Sequence, residues 1–204
     1  MSALVVHIVD DDEAIRDSLQ ALLEGAGFSC AVYPSAAAFL ADSARAGGCA
    51  LVDVRMPEMD GLTLLREISA RHADIGVVIM TGFADVPLAV KAMREGAIDF
   101  VEKPAAREVL IDAVRRAFGK ATQASAGDES KREALARFER LTEREREVLD
   151  LLVLGDANKV VAHKLGISPR TVEIHRGRLM EKTQAKNLAE LVRMALEAGI
   201  GART

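Results

Sequence analysis

The sequence predicts an α/β fold with a parallel five-stranded sheet, followed by a separate all-α part, and three observations predict it. Residues 1–118 alternate short apolar runs with stretches of helical spacing, residues 119–133 are small and polar, and the rest is wholly helical in pattern. The charge divides in the same way, because residues 1–118 carry a net −7 and residues 134–204 a net +3. We therefore expect domains at 1–118 and 137–204, joined by a linker over residues 119–136.

The first part is built from five strands and five helices. The predicted strands are nearly all apolar, as strands buried on both faces of a parallel sheet are: Leu4–Val9, Phe28–Val32, Cys49–Val52, Val77–Met80 and Ile98–Val101. Helical spacing fills the intervals between and after these runs, over Ala14–Leu23, Ser35–Leu40, Leu62–Ile68, Val86–Met93 and Val109–Phe118.

The second part begins and ends with a helix that carries its own start signal. Thr142 with Glu145 three residues later is a capping box, so a helix begins there and ends near Gly155. Asn187 caps the last helix, which ends near Gly199.

Between them lie two helices joined by a short turn. The first spans Asn158–Leu165 and stops at Gly166, and the second opens with Ser168 as N-cap and Pro169 at the first helical position and runs to about Thr183. A short glycine-containing turn between two helices is typical of a helix-turn-helix, although a generic helical bundle fits this pattern too.

The composition excludes several classes of protein. Half of the 204 residues are hydrophobic and 28% are charged, which is typical of a globular rather than a disordered chain. The two cysteines, Cys30 and Cys49, have no CxxC partners, which argues against a disulfide scaffold and structural zinc. No apolar run approaches the roughly 20 residues of a membrane helix, and the N-terminus lacks the basic region of a signal peptide. We expect a cytoplasmic protein without a membrane partner.

Polar side chains stand where four predicted strands end. Asp10 and Asp11 follow the first strand, Asp53 the third, Thr81 the fourth and Lys103 the fifth. Because the carboxyl ends of parallel strands face one crevice, we expect these residues to converge. Clustered carboxylates repel one another unless a hard cation such as Mg²⁺ neutralises them. A lysine beside them provides a positive charge that suits a phosphate. Together these groups are the components of an aspartyl-phosphate site.

Each of these residues also has a purely structural interpretation. Asp10–Asp12 can be N-caps of the next helix, Asp53 can cap a loop, Thr81 can be a turn hydroxyl and Lys103 a surface lysine.

The motifs around these positions resemble the receiver domain of two-component response regulators over residues 4–118. The resemblance rests on Asp10-Asp11, the segment from Asp53 through Pro57 to Gly61, Met80-Thr81-Gly82 and Glu102-Lys103-Pro104. It implies a flavodoxin-like (βα)5 fold. It also implies that Asp53 is the phosphoacceptor and that Mg²⁺ is held by Asp10, Asp11, Asp53 and the backbone carbonyl of Arg55.

The same resemblance assigns the remaining groups of the site. It implies that Lys103 bonds a phosphoryl oxygen, that Thr81 is the switch hydroxyl, and that Phe100 is the aromatic side chain that changes rotamer on activation. Plain strand packing is the alternative for Phe100. The Lys103–Pro104 peptide is cis in relatives.

The predicted helix after Ser168 presents a basic outward face, which suits the major groove of DNA. Its surroundings resemble the LuxR/FixJ-type DNA-binding domain over residues 137–200, on Leu141–Leu149, Asn158–Ala162, Leu165–Ser168 and Thr171–His175. The resemblance places three residues towards the bases: Glu173, Arg176 and Gly177. Four others are candidates for phosphate contacts: Lys159, Thr171, Arg178 and Lys182.

The whole chain thus resembles a FixJ-like regulator of the NarL/FixJ family. The resemblance implies that a sensor histidine kinase phosphorylates Asp53, and that the chain then forms a homodimer and binds promoter DNA to regulate transcription, with RNA polymerase as a candidate further partner. The receiver is then no enzyme beyond its own phosphorylation and dephosphorylation. Two alternatives stay open: a regulator that binds DNA without a phosphoryl switch, and a phosphatase or phosphotransferase. Arg55 argues against the phosphatases that carry a second Asp two residues after the nucleophile.

Overall fold

The computed structural model describes residues 5–42, 47–72, 74–82, 86–122 and 134–201. Their contacts divide them into two compact units. The first comprises the described residues up to 82 and those from 95 to 122, and the second comprises residues 86–94 and 134–201. The domain limits expected from the sequence stay a prediction.

The first unit contains a five-stranded parallel sheet, which confirms the predicted fold class. The strands pair in the order β2-β1-β3-β4-β5. Their bounds are β1 Val5–Val9, β2 Ser29–Tyr33, β3 Gly48–Asp53, β4 Ile75–Thr81 and β5 Asp99–Glu102. Leu4, predicted to begin the first strand, lies outside the described residues.

A helix follows each strand in the chain. These helices are α1 Glu13–Glu24, α2 Ala36–Ala41, α3 Gly61–Arg71, α4 Val86–Arg94 and α5 Arg107–Thr122. The last of them continues past Phe118, where the sequence predicts its end, and through Gly119.

The core of the first unit lies on both sides of the sheet. On one side, residues of α1 and α5 pack against alternate strand residues, including Val6, Ile8 and Leu51, all at most 1% exposed. Phe39 and the α3 residues Leu64, Leu65 and Ile68 are fully buried as well. This burial on both faces is the reason that the strands read as continuous apolar runs.

The second unit contains the four helices that the sequence predicts after residue 140. They are α6 Glu143–Val153, α7 Asn158–Leu165, α8 Pro169–Thr183 and α9 Leu188–Glu197, and residues 134–138 are helical ahead of them. The side chains of Thr142, Ser168 and Asn187 accept the capping hydrogen bonds at the starts of α6, α8 and α9, as predicted.

The turn between α7 and α8 depends on one glycine. Gly166 ends α7 with φ +64°, a left-handed conformation in which a side chain is disfavoured. From α6, Arg144 donates to the carbonyl of Leu165 over 2.5 Å, which satisfies one free carbonyl at the end of α7. Among the described residues, no helix is both long and apolar enough to cross a membrane.

Candidate functional site

Four parallel strands carry the predicted polar residues to one edge of the sheet. Asp10 follows β1, Asp53 ends β3 and Thr81 ends β4. Lys103 follows β5, and its backbone N–H donates to the carbonyl of Thr81 over 2.7 Å. The structure thereby confirms the convergence that the sequence predicts for these four residues.

The Lys103 ammonium joins the two buried carboxylates. It donates to Asp53 Oδ1 over 2.5 Å and also to Asp10 Oδ2. Burial by itself lowers the pKa of Lys103, but the hydrogen bonds to Asp10 and Asp53 and their charges outweigh burial, so this pKa lies above its ordinary value. The lysine is therefore a fixed cation at neutral pH and is not the surface lysine of the structural alternative.

The Asp53 carboxylate is held in place by the loop that follows it. Its second oxygen, Oδ2, accepts from the backbone N–H of Arg55 over 2.6 Å. Gly61, at the start of α3, packs against the Asp53 backbone so closely that a Cβ there would lie 2.1 Å from the Asp53 carbonyl oxygen. The loop therefore needs glycine at position 61. Asp53 is 9% exposed, so only a small part of it contacts solvent.

The acidic residues after β1 divide between two roles. Asp12 is the N-cap of α1 and accepts from Ala14 N–H over 2.9 Å, as the structural alternative expects. Asp10 is 3% exposed and faces Lys103 instead, while Asp11 is exposed. Arg16 of α1 donates to the Asp10 carbonyl over 2.8 Å and so fixes the backbone of this loop.

The carboxylate oxygens at this edge are suitable ligands for a hard divalent cation. Asp10 and Asp53 share one lysine, so this trio carries a net −1, and the exposed Asp11, next in the chain to Asp10, makes it −2. No group of three or more His, Cys, Asp or Glu side chains is placed to hold a metal within the described ranges. Mg²⁺ retains several waters and binds through one or two carboxylates, so the pair of carboxylates meets its requirement.

The two predicted switch residues are both buried, on strands β4 and β5. Thr81 is 2% exposed at the end of β4. Phe100 is 7% exposed on β5, where it pairs with Ile79 of β4. The structure thus places Phe100 in strand packing, and its rotamer change stays a prediction. The Lys103–Pro104 peptide is cis, as expected.

The candidate DNA-contacting residues of α8 differ in exposure. Glu173, Gly177 and Arg178 are exposed, as is Lys159 on α7. Thr171 lies near the start of α8, where its hydroxyl shares a hydrogen bond of 2.8 Å with the Ser168 hydroxyl.

Arg176 is the candidate base-reading residue that the structure ties to another helix. Its guanidinium donates to Asn158 Oδ1 at the start of α7 over 3.1 Å. The side chain is half-buried, and this burial lowers the pKa of Arg176, an effect that the nearby charge of Glu173 partly offsets. Arg176 therefore lies between α7 and α8 and is less accessible than Glu173 or Arg178.

Lys182, a candidate phosphate contact, forms an ion pair within the protein. It donates to Glu145 Oε2 over 2.6 Å, and the Glu145 side chain is 3% exposed. The same carboxylate accepts from the backbone N–H of Thr142 in the capping box. Burial raises the pKa of Glu145, but the hydrogen bonds from Lys182 and Thr142 and the charge of Lys182 prevail, so this pKa lies below its ordinary value.

Three supporting residues were not found by sequence reasoning. Arg16 on α1, Asn158 on α7 and Glu145 on α6 each fix a predicted site residue from another element. Glu145 was predicted as a capping residue only. Arg16 and Asn158 lie in the first turns of α1 and α7. Asn158 also lies in one of the segments that resemble the LuxR/FixJ-type domain.

Comparison with known families matches two separate segments of the chain. Residues 6–115 match the family described as response regulator receiver domain. Residues 139–195 match the family described as bacterial regulatory proteins, luxR family.

Individual relatives extend the likeness over nearly the whole chain. The transcriptional regulatory protein FixJ of Azorhizobium caulinodans is 49% identical, covering 97% of this chain and 94% of its own. FixJ of Rhizobium meliloti is 45% identical over 98% of this chain and 99% of its own. The crystal structure of full-length FixJ from B. japonicum superimposes with a TM-score of 0.56 at 42% identity, covering 98% of both chains.

Proposed function

Because this chain belongs to the response regulators that join a receiver domain to a luxR-type DNA-binding domain, we propose that phosphorylation of Asp53 controls its binding to promoter DNA. The phosphoryl donor is the phosphohistidine of a sensor histidine kinase. The observation that carries the proposal is the Lys103 ammonium, which bonds the Asp53 and Asp10 carboxylates at one edge of the sheet.

The phosphoryl step follows from the position of these groups. An Asp53 carboxylate oxygen attacks phosphorus, an acyl phosphate forms, and the bond from phosphorus to the donor nitrogen breaks. Lys103, already charged and in contact with Asp53, is placed to bond a phosphoryl oxygen. Asp10, Asp11, Asp53 and the Arg55 carbonyl would hold Mg²⁺, which supplies positive charge against the phosphoryl oxygens when bound.

The new group also changes the balance of charge beside Thr81. A phosphoryl group adds about −1.5 to −2 of charge at pH 7. Lys103 then bonds the phosphoryl oxygens, and the Thr81 hydroxyl moves to donate to one of them. Because the backbone N–H of Lys103 is bonded to the Thr81 carbonyl, the ends of β4 and β5 move together, with Phe100 of β5 changing rotamer.

The output of the switch is a dimer that binds DNA. Two copies place two α8 helices on a two-fold DNA site, about one helical turn apart. The exposed face of α8, with Glu173 and Arg178, enters the major groove, while Lys159 contacts phosphate. RNA polymerase at the promoter is then a further partner.

Intact-protein mass spectrometry tests the phosphoryl step. The full chain is incubated with acetyl phosphate and Mg²⁺, with an EDTA arm, and its mass is recorded. Wild type is expected to gain one phosphoryl group only when Mg²⁺ is present, and Asp53→Asn is expected to gain none.

Asp60→Asn provides the matched control. Asp60 lies in the same loop region, is exposed and caps α3, accepting from Thr63 N–H over 2.7 Å, and an asparagine retains that capping bond. This variant should be phosphorylated like wild type. Equal phosphorylation of Asp53→Asn and wild type would refute Asp53 as the acceptor.

A further inference from the structure

We propose that Ile174 is a specificity-determining residue of the DNA interface and contacts the 5-methyl group of a thymine in the major groove. The inference rests on the proposed function, because it needs α8 to enter DNA. It assigns a role to an apolar residue, to which the charge pattern of the helix gives none.

The position of Ile174 on α8 is the first observation. The apolar residues that pack this helix into the unit, Val172 and Leu179, are both 0% exposed. Ile174 is 50% exposed, and its neighbours on the open side of the helix are Glu173 and Arg178. It is therefore a large apolar side chain in the middle of the charged face, on the side opposite the core.

A single exposed apolar residue is common on protein surfaces and needs no explanation by itself. Gly177 supplies the second observation. Side chains on a helix lean towards its N-terminus, so the residue three positions later covers part of the surface at position 174. Glycine at 177 leaves that surface open, and a Cβ built there would meet nothing within 4 Å.

Nothing in the packing of the described residues therefore requires glycine at this point. Glycine in a helix interior is unfavourable relative to alanine, so its presence on the open face of α8 fits a close approach by another molecule. Together, Gly177 and Ile174 form a bare stretch of backbone beside an apolar side chain.

The chemistry of the major groove indicates what this pair meets. The base edges there present hydrogen-bond donors and acceptors and one apolar group, the thymine methyl. A charged or amide side chain suits the polar groups, whereas isoleucine has only carbon and hydrogen to offer and suits the methyl. The half-buried Arg176, held by Asn158 over 3.1 Å, is less free to extend to the bases, which leaves Ile174 at the centre of the face.

Substituting uracil for thymine tests the contact directly, because the two bases differ only in this methyl group. The full chain, treated with beryllofluoride and Mg²⁺, is used to select duplexes from a random pool at one fixed salt concentration. Each thymine of the selected site is then replaced in turn by deoxyuridine, and the Kd is measured for wild type and Ile174→Ala. Val160→Ala is the matched control, because Val160 is a 42% exposed apolar residue on α7.

At one thymine of each half-site, uracil is expected to weaken wild-type binding about fourfold, the equivalent of one buried methyl group. Ile174→Ala should bind the thymine duplex more weakly and lose its sensitivity to uracil there, whereas Val160→Ala should keep it. Uracil sensitivity that persists in Ile174→Ala, or a wild type insensitive at every thymine, overturns the contact but leaves the proposed function standing. Failure of wild type to enrich any sequence overturns both.

Discussion

Replacing Lys182 by methionine tests the ion pair that joins α8 to α6. The substitution retains most of the aliphatic stem and removes the charge, so the buried Glu145 carboxylate loses its cation and keeps the hydrogen bond from the Thr142 backbone N–H. The side chains are 3% exposed for Glu145 and 33% exposed for Lys182. The burial of this pair is therefore intermediate between that of an exposed ion pair and that of a fully buried one.

Exposed and fully buried ion pairs set the limits for the loss of stability expected from Lys182→Met. An exposed pair contributes about 0–1 kcal/mol, and removing one partner of a fully buried pair costs about 3–5 kcal/mol. With one partner buried and the other one-third exposed, we expect Lys182→Met to cost about 2 kcal/mol. That is roughly a 30-fold increase in the equilibrium constant for opening of this unit.

Hydrogen exchange of the intact protein provides the assay, because it reports the opening of each segment separately. Amides of α6 and α8 should exchange faster in Lys182→Met, and those of β1 and β3 should not change. Lys159→Met is the matched control, since Lys159 is exposed on α7, and its effect should stay within about 0.5 kcal/mol.

A double-mutant cycle isolates the pair. In the Glu145→Gln background the buried charge is absent, and the amide oxygen can still accept from Thr142 N–H, so Lys182→Met should cost about 1 kcal/mol less than in wild type. Strictly additive effects, or unchanged exchange of α6 and α8 in Lys182→Met, would refute this reasoning.

Three further predictions concern other parts of the molecule. Lys103→Met leaves the Asp10 and Asp53 carboxylates adjacent without their shared cation and should destabilise the first unit by about 3 kcal/mol; an unchanged Tm by circular dichroism would contradict this. The pKa of Glu145 is lowered on folding, so its contribution to stability is present above about pH 4.3 and is lost as pH falls through the folded-state pKa. Urea unfolding between pH 7 and pH 3 should therefore show wild type losing its advantage over Glu145→Gln in acid, and a constant difference would argue against the pair. Gly177→Ala should stabilise α8 by about 1 kcal/mol while weakening discrimination between DNA sites; stabilisation without any change in DNA selection would show that Gly177 has no part in recognition.

The convergence of the candidate site at the sheet edge could be predicted because it depends on one rule of topology. Apolar runs without alternation indicate parallel strands, and residues that follow such strands meet at one edge. Asp10, Asp53, Thr81 and Lys103 each follow or end a strand, so their approach needed no knowledge of side-chain conformation.

Contacts between side chains of different elements could not be predicted in this way. Lys182 and Arg176 were assigned to DNA from the basic outward face of the helix and the resemblance to the LuxR/FixJ-type domain, but the structure pairs Lys182 with Glu145 and Arg176 with Asn158. Neither partner lies within a helical turn of the residue that it holds, so spacing along the chain carries no signal. The contact of these two residues with DNA stays a prediction.

The end of α5 shows a local rule failing. The sequence predicts that this helix ends at Phe118, yet it continues through Gly119 to Thr122. Glycine weakens a helix interior by only about 1 kcal/mol, and α5 is already held by buried residues such as Leu110, Val114 and Ala117. Packing of the earlier turns therefore outweighs the local preference.

The proposed function requires that the phosphorylation state of Asp53 controls DNA binding by the same chain. Its most direct test measures molecular mass by light scattering and affinity for the selected duplex at one fixed salt concentration, with and without beryllofluoride, for wild type and Asp53→Asn. Only wild type with beryllofluoride is expected to become a dimer and to gain sequence-selective binding. Identical mass and affinity for both proteins in both conditions would contradict it, and would favour a regulator that binds DNA without a phosphoryl switch.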